Sequence, residues 1–186
     1  MIELRIHGRG GQGAVVASKI LAQAAFLRGR CVQSYPDYGV ERRGAPVVAF
    51  ARIAESGDRH FLRQDIRQPD HIAVLDATLL TNPAVLSVLR QGGWVVVNSP
   101  ADPSGLAVPG GFRVATVDAS EIAVRHGLGS ASQPVVNTAI LGAFARATGL
   151  VALDALLEAI VEEVPVEADE NRQAAAEAYY LVRFGE

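Results

Sequence analysis

The first thirteen residues constrain the fold more than any other stretch. Ile2-Glu3-Leu4-Arg5-Ile6-His7 reads as a short strand, and Gly8-Arg9-Gly10-Gly11-Gln12-Gly13 as a glycine turn. After the turn, Ala14, Val15, Ala17, Ile20, Leu21, Ala24 and Ala25 recur at helical spacing. Gly8-x-Gly10-x-x-Gly13 therefore stands between a strand and a helix, the setting in which that spacing has physical meaning. Gly8 is expected to turn tightly, Gly10 to let a ligand approach the backbone, and Gly13 to let the helix pack close to the sheet. Free N–H groups at the helix start would favour an anion. Any tight strand-to-helix turn in an α/β domain also calls for glycines, so the pattern alone leaves a ligand site and a plain turn both open.

The helix is predicted over 12–27. Gly29 stops it, with Arg28 and Arg30 at its negative end. A second strand follows over 31–35, and strand, helix and strand make a unit whose two strands should run parallel. A dinucleotide site wants an acid at the end of that second strand to hold the ribose hydroxyls. Gln33 and Ser34 occupy that place, and Asp37 comes only after Pro36. The nicotinamide or flavin reading therefore loses support.

Residues 34–46 combine aromatics, two prolines, two glycines, acids and an arginine pair without periodicity. A loop this long in a compact domain is functional or disordered, and its aromatic content argues for function. It leaves the carboxyl end of the second strand, on the sheet edge that carries the glycine turn, where open α/β sheets bind ligands and partners. Tyr38, Glu41, Arg42 and Arg43 stand in it. The arginines suit a phosphate or a carboxylate on another chain, or a surface ion pair with Glu41.

Residues 47–53 and 59–62 flank the turn cluster Glu55-Ser56-Gly57-Asp58 and predict an inserted β-hairpin, with His60 facing solvent. Residues 71–76 read as a buried parallel strand ending in Asp76, which either reaches a ligand or caps the next turn with Thr78. Asn82-Pro83 starts a predicted helix to about residue 91. Residues 94–99 form the next buried strand, with Asn98 and Ser99 again polar at its carboxyl end. A short strand over 113–117, a short helix over 120–126 capped by Asp118 or Ser120, and a glycine–serine loop over 127–134 follow. Helices are predicted over 135–148, 153–163 and 169–184, the last with Asp169 as its cap.

Composition removes several kinds of chemistry. A net charge of −3 over 186 residues gives no nucleic-acid surface. The single cysteine, Cys31, forms no internal disulfide and cannot alone hold an iron–sulfur cluster or a zinc ion. That cysteine poverty and the lack of a leader pattern predict a cytoplasmic protein, and no stretch is long enough to span a bilayer. No Gly-x-Ser-x-Gly elbow occurs, no Lys-Ser/Thr pair follows the glycines, and His7, His60, His71 and His126 lack metal-ligand spacing. What remains is a binding edge without visible catalytic residues, the profile of a subunit.

The glycine–glutamine turn at 8–13, together with Tyr35-Pro36-Asp37-Tyr38-Gly39-Val40-Glu41-Arg42-Arg43-Gly44-Ala45-Pro46, resembles the gamma subunit of the 2-oxoacid:acceptor (pyruvate:ferredoxin-type) oxidoreductases. Val74-Leu75-Asp76, Asn98-Ser99, Val117-Asp118 and Val136-Asn137-Thr138-Ala139-Ile140-Leu141-Gly142-Ala143 extend the resemblance, which covers nearly the whole chain. It implies one gamma-type domain over 1–186. The implied fold is α/β, a Rossmann-like, mostly parallel sheet flanked by helices, with the hairpin insertion and a helical C-terminal end. It further implies a complex that decarboxylates a 2-oxoacid, acylates coenzyme A, and passes electrons to ferredoxin or NAD. Thiamine diphosphate with magnesium would be held by alpha and beta subunits and the iron–sulfur clusters by a delta subunit, with FAD in some arrangements. The gamma chain itself would carry no cofactor and would contact neither nucleic acid nor membrane. The expected ligand- or partner-binding residues are Gly8, Gly10, Gly11, Gln12, Gly13, Tyr38, Glu41, Arg42, Arg43, Asn98 and Asn137. A freestanding nucleotide-binding protein and a purely structural subunit are the alternatives.

Overall fold

The computed structural model describes residues 1–37, 44–57, 64–164 and 166–185. The chain order is β1 (Ile2–Arg9), α1 (Ala14–Phe26), β2 (Cys31–Pro36), β3 (Pro46–Ala54), β4 (His71–Val74), β5 (Trp94–Asn98), β6 (Arg113–Val117), α2 (Ala119–Arg125), a small ribbon of β7 (Gly129–Ser130) and β8 (Gln133–Pro134), α3 (Asn137–Thr148), α4 (Leu153–Glu163), α5 (Ala168–Leu181) and β9 (Arg183–Phe184). The main sheet has the order β2-β3-β1-β4-β5-β6-β9. Within it every strand except β3 and β9 runs the same way, giving the expected mostly parallel α/β sheet with a helical C-terminal region.

Strand alternation sorts the side chains to two faces. Leu4, Ile6, Ala49, Ala51, Ile53, Ala73, Val96, Ala115 and Val117 share one core with α1 to α5. Ile72, Val74, Val95 and Val97 point the other way, onto Leu79, Val85, Leu86 and Leu89. The central strands are apolar throughout because both of their faces are covered. Over β1, β3 and β2 the second face is polar. Arg52 is 4 % exposed, and its Nε donates to Glu3 Oε1 at 2.9 Å and its Nη1 to Gln33 Oε1 at 2.9 Å. Arg5 and Arg52 also hold the backbone carbonyls of Ile66 and Gln64, which fastens the connector to β4 across this face.

Several expectations change in detail. The first and second strands do run in the same direction, but β3 lies between them and pairs antiparallel with both. Residues 46–54 thus belong to the main sheet and make their hairpin with β2, while 59–62 and His60 lie outside the described residues. The segment after Asn82 forms no α-helix. Its amides bond three residues back, as in Val85 to Asn82 and Leu89 to Leu86, and the 3₁₀ turns so formed set Leu79, Val85, Leu86 and Leu89 on the sheet. Helix α5 begins after Glu167, at φ 53°, not at Asp169, because the Asn171 amide reaches back to the Glu167 carbonyl at 2.8 Å. Asp169 falls in the first turn, where its charge favours the helix start. Residues 183–184 leave the helix and pair with β6.

His7 lies on β1 between Val48 and Val74 and is 5 % exposed, with Nε2 unpaired among the described residues. Burial, assisted by the Arg5 charge, pushes its pKa down from 6.5 to about 4. The unfolded chain therefore takes up a proton that the folded chain refuses. His7's contribution is whole above pH 6.5 and drains away as pH falls towards 4. The expected loss at pH 4 is about 3 kcal/mol. Urea midpoints across that window should fall less steeply for His7→Leu than for wild type, and equal slopes would reject this role.

Candidate functional site

The glycine turn is built differently from its sequence reading. Gly8 and Arg9 still belong to β1, paired with Val47 and Pro46, so Gly8 makes no turn. Gly10 donates its N–H to Ala45 O at 2.9 Å and accepts from Gly44 N at 3.1 Å. Its amide is spent on the flank of the 38–43 segment and is closed to a ligand. The chain reverses at Gly11 and Gly13, at φ 98° and 80°. Gln12 holds the reversal, its Oε1 accepting from Arg9 N at 2.7 Å. Gly13 packs against α3 and not against the sheet, for a Cβ there would stand 2.6 Å from Asn137 Nδ2.

Arg9 links three segments at this edge. Its Nε donates to Asp76 Oδ2 at 2.7 Å, its Nη2 to Thr78 Oγ1 at 2.8 Å, and its Nη1 to Gly44 O at 3.2 Å. Asp76 in turn caps the following 3₁₀ turn through Thr78 N, which supports the cap reading of that residue. Burial raises the Asp76 pKa, but hydrogen bonds from Thr78 and Arg9 outweigh it and hold the carboxyl below its ordinary range. Asn98 also serves the framework. Its Nδ2 donates to Leu75 O and Ser120 Oγ, each at 2.9 Å, and its Oδ1 accepts from Ser120 N at 3.2 Å.

These elements border a cleft of about 580 Å³ at the carboxyl ends of β1, β4 and β5. Residues 9–12 form one wall and residues 132–136 the other, with Leu75, Asp76 and Asn98 between them. Of the expected site residues, Gly10, Gly11, Gln12 and Asn98 line this cleft, and Gly13 and Asn137 meet beside it. Tyr38, Glu41, Arg42 and Arg43 lie outside the described residues. The flanks of their segment are placed: Asp37 N bonds Val48 O at 2.8 Å, and Gly44 bonds Gly10. Both ends therefore stand on the edge that carries the glycine turn, as the direction of β2 predicts.

Sequence reasoning missed Arg9, which looked like a spacer between glycines, and Ser120, considered only as a helix cap. Only the strand order brings them to this edge. That order also weakens a dinucleotide site. With β3 interposed, the end of β2 is two strand spacings, roughly 10 Å, from the turn. Gln33 is engaged by Arg52, and the Ser34 hydroxyl meets Ser18 of α1 at 2.8 Å. The described histidines outside β1 have framework partners: His71 Nδ1 accepts from Trp94 N at 3.2 Å, and His126 Nε2 lies 2.6 Å from Glu177.

Comparison with known proteins agrees with this architecture. Residues 3–181 match the family described as pyruvate ferredoxin/flavodoxin oxidoreductase. The chain is 48% identical over 180 residues to pyruvate synthase subunit PorC of Methanothermobacter thermautotrophicus, covering 96% of this chain and 94% of that one. It is 47% identical to the pyruvate/ketoisovalerate oxidoreductases common subunit gamma of Thermococcus kodakarensis, covering 96% of each. The crystal structure of pyruvate oxidoreductase subunit PORC from Thermotoga maritima superposes with a TM-score of 0.82 at 36% identity, covering 100% of this chain and 98% of that one. Matches of this length and identity establish that the chain belongs to the pyruvate ferredoxin/flavodoxin oxidoreductase family, among its gamma-type members.

Proposed function

We propose that this chain, as one gamma-type domain over 1–186, is the gamma subunit of a thiamine diphosphate-dependent complex. That complex converts a 2-oxoacid and coenzyme A to an acyl-coenzyme A and carbon dioxide, with electrons passed to ferredoxin or NAD. The chain docks on the thiamine-binding alpha and beta subunits through the edge formed by the glycine turn and residues 35–46, and there helps shape the coenzyme A site. With one cysteine it leaves the iron–sulfur clusters to a delta subunit. The observation that carries the docking face is the double bridge of Gly10 with Gly44 and Ala45, reinforced by Arg9 on Gly44. It ties Gly44 and Ala45, which follow the arginine pair in the chain, to the glycine turn.

The chemistry on this chain is binding and positioning. Arg42 and Arg43 carry fixed positive charge suited to a partner carboxylate or a coenzyme A phosphate. In the complex co-expressed with all its subunits, Arg42→Ala/Arg43→Ala is expected to weaken assembly or to raise the apparent KM for coenzyme A about tenfold, the scale of one lost charged contact. Assembly measured by size-exclusion chromatography and KM by steady-state kinetics check it. Assembly defects with an unchanged KM would leave a docking role only, and wild-type values for both would overturn the proposal. A panel of pyruvate, branched-chain and aromatic 2-oxoacids and 2-oxoglutarate, with ferredoxin and NAD as acceptors, identifies the reaction.

A further inference from the structure

We infer that the open edge of β2 is an interface between two copies of this chain, paired antiparallel about a two-fold axis at Gln33. β2 ends the main sheet on one side. Its bonding phase follows from its neighbour. Asp37 N donates to Val48 O at 2.8 Å, and that pair continues the register of β2 on β3, in which Gln33 faces Arg52 and Cys31 faces Ala54. Bonded and unbonded pairs alternate along an antiparallel ladder, so Cys31, Gln33 and Tyr35 turn their N–H and C=O groups to β3. Val32 and Ser34 turn theirs outward, where they have no backbone partner among the described residues. Natural sheets blunt such edges with charge or with proline. β2 carries no charge over Cys31–Pro36, and Pro36 stands beyond the two outward residues.

This edge is complementary to itself. Pairing about Gln33 sets Val32 of one copy against Ser34 of the other, so every outward residue both donates and accepts and no bond needs the proline nitrogen. Charge selects the same direction. Arg30 precedes the strand and Asp37 follows it. Arg30 is shared with Glu55 at 3.3 Å, whereas the Asp37 carboxylate is exposed and forms no salt bridge among the described residues. Antiparallel pairing brings Arg30 of one copy beside Asp37 of the other, while parallel pairing would set like charges together. Helix α1 adds an apolar shoulder. Its Ser18 meets Ser34 of β2 at 2.8 Å, and its Gln23 bonds Glu162 of α4 on the other flank. At about 100° per residue, Val15 and Phe26 lie roughly 60–80° round from Ser18, on the β2 flank and above the sheet. Phe26 is 59 % exposed and Val15 is half-buried. Because α1 runs back against the direction of β2, the two-fold brings Phe26 of one copy towards Val15 of the other. Lys19, the one charge on this shoulder, is exposed, and its long stem carries the ammonium to water.

The interface uses neither Arg42 nor Arg43 and so goes beyond the docking role proposed for them. Sedimentation equilibrium of the full chain, whose single-copy mass is 19.6 kDa, checks it. A monomer–dimer equilibrium with Kd below about 100 µM is expected, and a weaker one or none would overturn the inference. Phe26→Asp, at an exposed position, should raise that Kd at least about tenfold, and an unchanged Kd would move the dimer to another surface. In a Cys31→Ser background, Gln33→Cys should form an intermolecular disulfide on mild oxidation, because the residue faces its own copy as an unbonded pair with Cα atoms about 4.5 Å apart. A folded variant that stays monomeric on a denaturing gel would overturn the axis, and sedimentation of the wild type decides if that variant fails to fold. A monomeric wild type whose Phe26→Asp variant no longer enters the co-expressed complex would overturn the inference in favour of an alpha or beta subunit at this edge. Arg42→Ala/Arg43→Ala should dimerise like the wild type, so failure of the docking reading leaves this inference standing.

Discussion

Gly142→Ala is expected to destabilise the chain by about 3 kcal/mol or more, a fall of roughly 6–12 °C in thermal midpoint. The sign runs against helix propensity. Gly142 sits inside α3, where alanine would ordinarily gain about 1 kcal/mol. Here a Cβ would stand 1.8 Å from Ala175 O and 2.7 Å from its carbonyl carbon. Both atoms are backbone of α5, so no side-chain rotation relieves the overlap. The two helices would have to part, opening the layer formed by the fully buried Ala174, Ala175 and Ala178. Thr138 Oγ1, 2.7 Å from Asn171 Oδ1, would be drawn from its partner as well. Thermal unfolding checks this, and an alanine variant as stable as wild type would show that α3 and α5 do not approach at Gly142.

The same contact shows what could be read from the residues. Ala139, Gly142 and Ala143 are small enough to admit a close neighbour, but helical spacing names no partner, and α5 emerged only from the packing. The apolar runs of β4 and β5 declared a doubly covered sheet because burial on both faces leaves little choice of residue. Strand order was harder. Alternation in 46–54 assigns Ala49 and Ala51 to one face and Phe50 and Arg52 to the other, yet says nothing of neighbours, so β3 was expected in a separate hairpin. Leucines spaced over 79–89 fit α-helical and 3₁₀ turns alike. At the candidate site, residue type singled out Gly10, Gln12 and Asn98, which the structure places on one cleft. Their jobs depended on partners far along the chain: Ala45 for Gly10, Leu75 and Ser120 for Asn98, and Asn137 for Gly13.

Gly13→Ala is expected to cost about 3 kcal/mol, from two separable causes. The backbone at φ 80° charges any L side chain about 1–2 kcal/mol. The new Cβ would also stand 2.6 Å from Asn137 Nδ2, 2.9 Å from its Cγ and 3.1 Å from its Cβ, an overpacking of about 1–3 kcal/mol. Gly11→Ala isolates the first cause, because Gly11 has φ 98° and nothing within 4 Å of the built Cβ. The second is isolated by making Gly13→Ala in an Asn137→Ala background, which removes the two nearer atoms. There the cost should shrink to the backbone share of about 1–2 kcal/mol, a coupling that urea denaturation of the four proteins in the cycle resolves. An equal cost in both backgrounds would mean that Asn137 does not press on Gly13.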